Sequence, residues 1–443
     1  MRLLAQPLAV AGLQAFHIPI VASRPVARTP AHRLECPVAQ SDVPVWRSVS
    51  LVAFLFLVTA TFGFLQPFVP LYLESAGLDR KQIGWLLGLG TGASLLVQPL
   101  WGRLSDAWDT RRPFILGSAI AAGAAYLSFP FVRSVPAFLV LQAIGQNGVI
   151  YLSAVGGVLV GRMVSSKSGG AVYANYRLWG SIGYICVSLL TGLLLTRHGG
   201  PIDRALLDRA FRTVPLLFVP IGLLAFAVPD RKDGPRASGA PRKAPLPPNL
   251  RVFLACHFLY TLALYGASNF LSLFMKELGG TPLWVTSMFA GGVVCEVLVM
   301  RQSGRLSDRY GRRPLMVLTY LLLPVRLALY AACLSPLHVF LVQLLHGLNF
   351  GIVGVISVAL INDLATDDTR GQAQARLATV SGAATTSGPI LLGFVAEALG
   401  LRWMFLTAAG VALVGAVLLV RRFRETLPNP QRLPWRWAAF LQS

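Results

Sequence analysis

Gly304-Arg305-Leu306-Ser307-Asp308-Arg309-Tyr310-Gly311-Arg312-Arg313-Pro314 is a short basic loop set between two long apolar runs. A second version stands upstream as Gly102-Arg103-Leu104-Ser105-Asp106-Ala107-Trp108-Asp109-Thr110-Arg111-Arg112-Pro113. The two start 202 residues apart, close to half of the hydrophobic part of the chain. A repeat on that scale means two copies of one membrane unit.

The composition agrees with a membrane protein. Of 443 residues, 55% are hydrophobic and 13% are charged, and the mean hydropathy is +0.62. An ordinary soluble chain carries about twice that charge. Twelve apolar runs follow one another, near 47–72, 81–101, 113–132, 136–161, 175–196, 212–229, 251–275, 283–302, 314–334, 336–361, 373–398 and 403–420. Each is long enough to cross a hydrocarbon core of roughly 30 Å. The predicted fold is therefore all-α, with twelve transmembrane helices in two pseudo-symmetric six-helix bundles, at 45–229 and 251–420. A basic, Pro-rich linker at 230–250 separates them. Residues 1–44 match neither a span nor a clean signal peptide and read as a disordered tail. Residues 421–443 read as a second tail, with Pro434-Trp435-Arg436-Trp437 suited to a lipid interface.

The net charge of +21 raises the question of nucleic acid. Its distribution argues against that partner, because the cations sit in alternate loops and no nucleic-acid motif accompanies them. Arg103, Arg111, Arg112, Arg231, Lys232, Arg305, Arg312, Arg313, Arg421 and Arg422 fall on one side of the membrane. The other side holds far fewer, such as Arg80, Lys81, Arg133 and Lys276. The positive-inside rule then puts both termini in the cytoplasm, in the plasma membrane. The five cysteines include no close pair, so neither a disulfide framework nor a metal site is indicated. No HExxH, GxSxG, CxxC or P-loop appears, and no cofactor or enzyme chemistry is expected.

Charges inside spans are costly and need a partner or a task. Glu296 lies well within the eighth span, Arg326 in the ninth, His346 in the tenth and Arg177 in the first turn of the fifth. The simplest pairing joins Glu296 to Arg326, as a structural ion pair. Glu296 or His346 could equally carry a proton that is gained and lost, or touch the substrate. Polar side chains recur at helical spacing on four spans: Gln343, His346 and Asn349; Gln142, Gln146, Asn147 and Tyr151; Tyr260, Tyr265 and Asn269; and Gln66. Together these faces predict a water-filled cavity.

The twin loops resemble the signature of the major facilitator superfamily, which joins spans two to three and eight to nine. Gly304, Asp308, Gly311, Arg312 and Arg313 fit its pattern. Gly102, Asp106, Arg111 and Arg112 fit less closely, because Asp109 replaces a glycine. The resemblance implies that these loops gate the cytoplasmic side. Four further stretches are similar to the branch of phenylpropionate permease, lactose permease and nucleoside–proton symporters: Gly63 to Leu73, Asn175 to Gly183, Gly292 to Glu296, and His346 to Gly351. Arg326 and His346 match an arginine and a histidine beside the proton-coupling glutamate of lactose permease. Asn349 stands where that glutamate would be, which leaves Glu296 as the substitute. Arg177 matches a sugar-binding arginine there, but its partner acid is absent from Val158 to Gly161, which disfavours a galactoside.

The expectation is a secondary active transporter, acting as a monomer. It would move a small organic solute, an aromatic or other organic acid, by alternating access in symport with protons. A drug or sugar exporter of the same fold is the alternative, and a non-transporting membrane receptor a more distant one.

Overall fold

Helix boundaries in this chain are set by proline, glycine and capping residues, and the same devices recur in both halves. In the computed structural model the described residues are 45–108, 110–163, 169–198, 202–228, 246–366, 369–428 and 430–431. The tail at 1–44, most of the linker and the Trp-rich segment from 432 onward lie outside them. Among the described residues every regular element is a helix.

The spans are α1 (Val45–Ser75), α2 (Arg80–Ser105), α3 (Arg112–Phe131), α4 (Val135–Met163) and α5 (Gly169–Arg197). The sixth, α6, runs as Arg204–Thr213, a tight turn at Val214–Leu217, and Phe218–Leu224. The second half holds α7 (Pro248–Glu277), α8 (Pro282–Tyr310), α9 (Arg312–Ala332), α10 (Pro336–Leu364), α11 (Arg370–Leu399) and α12 (Leu401–Arg422). Eleven of these are long and apolar enough to cross a membrane. The exception is α6, expected at 212–229 as one apolar span. Its helical run begins earlier, at Arg204, and is interrupted at Val214–Leu217, where Pro215 has no backbone N–H to give.

The repeat is visible atom by atom. Gly77 and Gly279, 202 positions apart, end α1 and α7 with positive φ of 88° and 83°. Asp79 and Thr281, at the same offset, cap α2 and α8 by accepting from the backbone N–H of Gln82 and Trp284. The halves also meet through two copies of one contact. Gly84 of α2 packs so closely on α11 that a Cβ there would stand 2.4 Å from the Pro389 carbonyl oxygen and 3.1 Å from Gly393 Cα. At the equivalent crossing of α5 and α8, Gly192 faces the Thr286 hydroxyl. Small residues permit these approaches where no hydrophobic force drives helices together.

Gly304 to Pro314 differs from the expected loop. Gly304 to Tyr310 forms the last turns of α8, and Gly311, with φ of 104°, alone makes the turn into α9. Asp308 does not cap a helix start; it bonds Arg312 at 2.5 Å, one helical turn on. Arg312 reaches Asp363 of α10 at 2.9 Å. The cap is Glu425, beyond α12, whose carboxylate accepts from the backbone N–H of Arg312 and Arg313 at 2.9 Å each. In the first copy, Gly102 lies within α2, Arg111 precedes α3 and Arg112 opens it. Asp109 lies outside the described residues, as does the Asp106 side chain.

Candidate functional site

Between the halves lies a cavity of about 620 Å³. Its wall draws on α1, α2, α4, α5, α7, α8, α10 and α11. Of the residues singled out in the sequence, Gln66, Gln142, Gln146, Arg177, Tyr265 and Asn269 line it, as do Glu296, Gln343 and His346.

Two glycine-mediated crossings place the charged centre. In the first half, Thr59 of α1 donates to the Gly180 carbonyl at 2.5 Å, and Gly183 sits against the Phe56 carbonyl. That register turns Arg177, Ser181 and Tyr184 of α5, spaced by four and three residues, into the cavity. In the second half, α8 and α10 touch at Gly347 and Gly351. A Cβ on Gly347 would stand 2.7 Å from the Glu296 backbone nitrogen, and one on Gly351 would stand 3.1 Å from its carbonyl oxygen. The side chains of Glu296 and His346 are thereby brought side by side.

Glu296 hangs between two partners on opposite halves. Its Oε1 is 3.9 Å from Arg177 Nη2, and its Oε2 is 3.9 Å from His346 Nε2. Both distances exceed hydrogen-bond length. Among the described residues neither the Arg177 nor the Glu296 side chain makes a hydrogen bond. The His346 ring stacks on Phe350 at 4.4 Å, which fixes its plane. Arg177 is open to the cavity, with 53% of its side chain exposed against 16% for Glu296.

Arg326 does not join this group in the expected way. Its guanidinium is fully buried and donates through Nη1 to Asn349 Oδ1 at 2.9 Å, with its charge over the Tyr330 ring. Asn349 in turn donates to the Thr319 carbonyl at 3.0 Å. Tyr260 Oη bonds the Thr319 hydroxyl and stacks on Tyr320. Tyr330 donates to Gln343 Oε1, linking this network to the cavity wall. Arg326, Asn349 and Tyr260 thus form a polar core behind the site rather than its surface. Asn147 is likewise structural, since its amide nitrogen donates to the Gly90 carbonyl of α2. Tyr151 is buried in the core.

Residues passed over in the sequence complete the wall. Tyr184 donates to Gln66 Oε1 at 2.9 Å and so orients one of the expected amides. Phe62, Phe289, Val293 and Phe350 add an apolar side. Phe289, Val293 and Glu296 share one face of α8 by spacing, which is the signal that could have found them.

One end of the cavity is stapled shut. Lys276 Nζ lies 2.8 Å from Glu74 Oε2. Arg80 pairs with Glu277, donates to the Ala396 carbonyl, and gives its backbone N–H to Glu397 at 2.9 Å. Thr196 of α5 accepts from the Leu283 N–H of α8 at 2.9 Å. All these bonds join the first half to the second at the α1–α2 and α7–α8 turns.

Two six-helix halves around a polar cavity, tied at one end, are the architecture of a membrane transporter. The chain belongs to the MFS_1-like family, whose model matches residues 48–407, and is a major facilitator superfamily transporter rather than an enzyme. It is 25% identical to a maltose permease of Geobacillus stearothermophilus over 83% of this chain and 92% of that one. It is 23% identical to the multidrug resistance protein MdtG of Salmonella choleraesuis (strain SC-B67), over 85% and 96% of the two chains. The nucleoside transporter NupG shares the fold with a TM-score of 0.69 and 16% identity, over 85% of this chain and 98% of that one. A bacterial homologue of the human lysosomal transporter Spinster, in an inward-facing and unoccupied conformation, matches with a TM-score of 0.65 and 13% identity, over 88% and 99%.

Proposed function

We propose that this transporter moves a small organic acid, with an aromatic acid as the best-fitting class, across the cytoplasmic membrane together with protons. The observation that carries the reading is Glu296 suspended between Arg177 and His346 in the central cavity. Arg177 offers five N–H donors in a fork suited to a carboxylate. Phe62, Phe289 and Tyr265 supply apolar and aromatic faces for the rest of the solute. Glu296 carries the exchangeable proton, and Arg326 supports the site from behind through Asn349 and Tyr330.

The orientation follows from the positive-inside bias, with both termini and the 230–250 linker cytoplasmic. The stapled end is then the outer one, and this arrangement is the state with the outer gate shut. The two bundles rock about the cavity, and the chain works as a monomer embedded in lipid, without cofactor or metal.

A second reading has its own support. Gln66, Gln142 and Gln146 line the same cavity and suit hydroxyl groups, and the relatives include a permease named for maltose and a multidrug resistance protein. A sugar or drug exporter is that alternative.

The test begins with a thermal-shift panel of organic acids, sugars, nucleosides and drugs on purified protein. Uptake of the stabilising compound into proteoliposomes is then measured with and without a pH gradient, for wild type and Glu296→Gln. Accumulation by the wild type, with equilibration alone by the variant, is the expected result. Accumulation by the variant removes Glu296 from the coupling role, and no gradient effect in either removes symport.

A further inference from the structure

We propose that the outer flank of α6, at the stapled end of the protein, holds an anionic phospholipid. Arg209 and Arg212 take its phosphate, and the exposed apolar edge of α6 lies along its acyl chains. Spans alternate in direction, so the α3–α4 and α5–α6 turns share the stapled end with the α1–α2 turn. The inference does not depend on which solute is transported.

The segment Arg204–Thr213 at the start of α6 is amphipathic. It buries Leu206, Leu207, Ala210 and Phe211, and the Phe211 ring lies 5.3 Å from Phe129 and 4.6 Å from Tyr72. That docking turns Arg209 and Arg212, three residues apart, to the surface. The nearby acids are engaged inward. Asp203 accepts from the Leu206 N–H at 2.8 Å, and Asp208 accepts from the Tyr72 hydroxyl at 2.6 Å. Arg204 is engaged as well, donating to the Val132 carbonyl at 3.1 Å. Among the described residues the side chains of Arg133, Arg209 and Arg212 make no hydrogen bond and no ion pair.

Below these arginines the surface is apolar. Arg212 lies over the Phe131 ring at 5.5 Å, and Phe131 is 74% exposed. A cation laid on an exposed ring suits the membrane interface, where the ring sits among headgroups and the guanidinium reaches water. Leu216, Val219 and Leu223 continue from Arg212 at intervals of four, three and four residues, all of them exposed. Among the described residues the cavity wall takes nothing from α3 or α6, so these arginines are not placed for the transported solute. Charge sets the class of lipid. The segments 131–135 and 202–213 hold four arginines against two aspartates, at the end of the protein where cations are otherwise few. Guanidinium forks bind phosphate oxygens in pairs. They favour a headgroup whose phosphate stands alone over one whose own ammonium meets them. A free phosphate would use the arginines but not the stripe beneath them.

The test reads lipid contact at one point of the stripe. The full chain, in a background without native cysteines, carries a bimane dye on Leu216→Cys, or on Val414→Cys of α12 as an exposed comparison site. It is reconstituted in phosphatidylcholine vesicles containing either phosphatidylglycerol or phosphatidylcholine with a nitroxide on the acyl chain, which quenches a dye it touches. Quenching against nitroxide-lipid content gives the relative binding constant of the two lipids at each position. Phosphatidylglycerol is expected to be preferred about three- to tenfold at Leu216→Cys, and not at Val414→Cys. Adding Arg209→Gln and Arg212→Gln should abolish the preference. Adding Arg209→Lys and Arg212→Lys instead should keep it, which separates lost charge from lost folding. No preference with both arginines in place, a preference that survives the glutamine pair, or its loss in the lysine pair overturns the proposal. So does an equal preference at Val414→Cys, which would be a property of the whole surface. Relief of the phosphatidylglycerol quenching by added glycerophosphate would assign the arginines to a soluble phosphate and overturn it too.

Discussion

Glu74 and Lys276 occupy equivalent positions of the internal repeat, 202 residues apart, and bind each other across the two halves at 2.8 Å. A duplicated unit with identical residues there would set like charges together. Opposite charges at the paired position turn the pseudo-symmetry axis into a fastening, and the neighbouring Arg80–Glu277 pair reinforces it.

These pairs predict a charge-dependent gate at this end of the cavity. Each is partly exposed and worth about 1 kcal/mol or less alone, but two on one seam bias a two-state equilibrium. Lys276→Glu should open this end, and Glu74→Lys combined with Lys276→Glu should close it again. In a background without native cysteines, a short bifunctional thiol reagent should join cysteines placed at 75 and 278. Its yield should fall in the single reversal and recover in the double. Equal yields in all three would remove the gating role.

The α2–α11 seam gives a steric version of the same test. A methyl group on Gly84 would meet the Pro389 carbonyl, which is backbone and cannot turn aside. Gly84→Ala should therefore disfavour the stapled state by about 1–3 kcal/mol, the usual cost of overpacking. Thermal unfolding of the variant should begin lower, and cross-linking between 75 and 278 should drop. Gly102→Ala is the control, since nothing lies within 4 Å of a Cβ there.

Much of this arrangement was legible in the chain. Length and apolarity located the spans, and the twin basic stretches gave the duplication. Spacing put Gln142 and Gln146, or Gln343 and His346, on cavity faces. The partner of Glu296 was not legible, because periodicity assigns a residue to a face of its own helix and not to a helix across the cavity. By charge the simplest partner was Arg326, and nothing in the spacing pointed to Arg177 instead. Which one approaches was decided by glycine contacts such as Gly347 against Cys295 and Gly183 against Phe56, whose pairing no single sequence reveals. The capping role of Glu425 was hidden for a related reason. It lies more than 100 residues from the helix start it serves.

Glu425 supports a prediction about stability. Its carboxylate takes two N–H groups at the first turn of α9, where the helix dipole also favours a negative charge. The segment around it is fastened further, by Thr426 to Asp363 and by Arg309 to Gln431. Glu425→Ala should cost about 0.5–2 kcal/mol, as lost caps do, and Glu425→Gln should cost less. A thermal melt of purified protein measures both. An unchanged melting temperature in Glu425→Ala would show that the strap contributes nothing.

Arg326 and Asn349 make the last prediction. A fully buried guanidinium here ends on a neutral amide, and its Nε has no hydrogen-bond partner among the described residues. Removing Asn349 takes the acceptor from a buried charged donor, and hydrogen bonds to charged groups contribute about 1.5–3 kcal/mol. Asn349→Leu should therefore destabilise the protein. Arg326→Met removes the charge itself, so the pair Arg326→Met with Asn349→Leu should recover much of the loss. Asn349→Asp supplies a counter-charge where the amide oxygen already sits, and should match or exceed wild type in melting temperature. If Asn349→Leu melts like wild type, Arg326 has another anchor, and its role behind His346 must be assigned afresh.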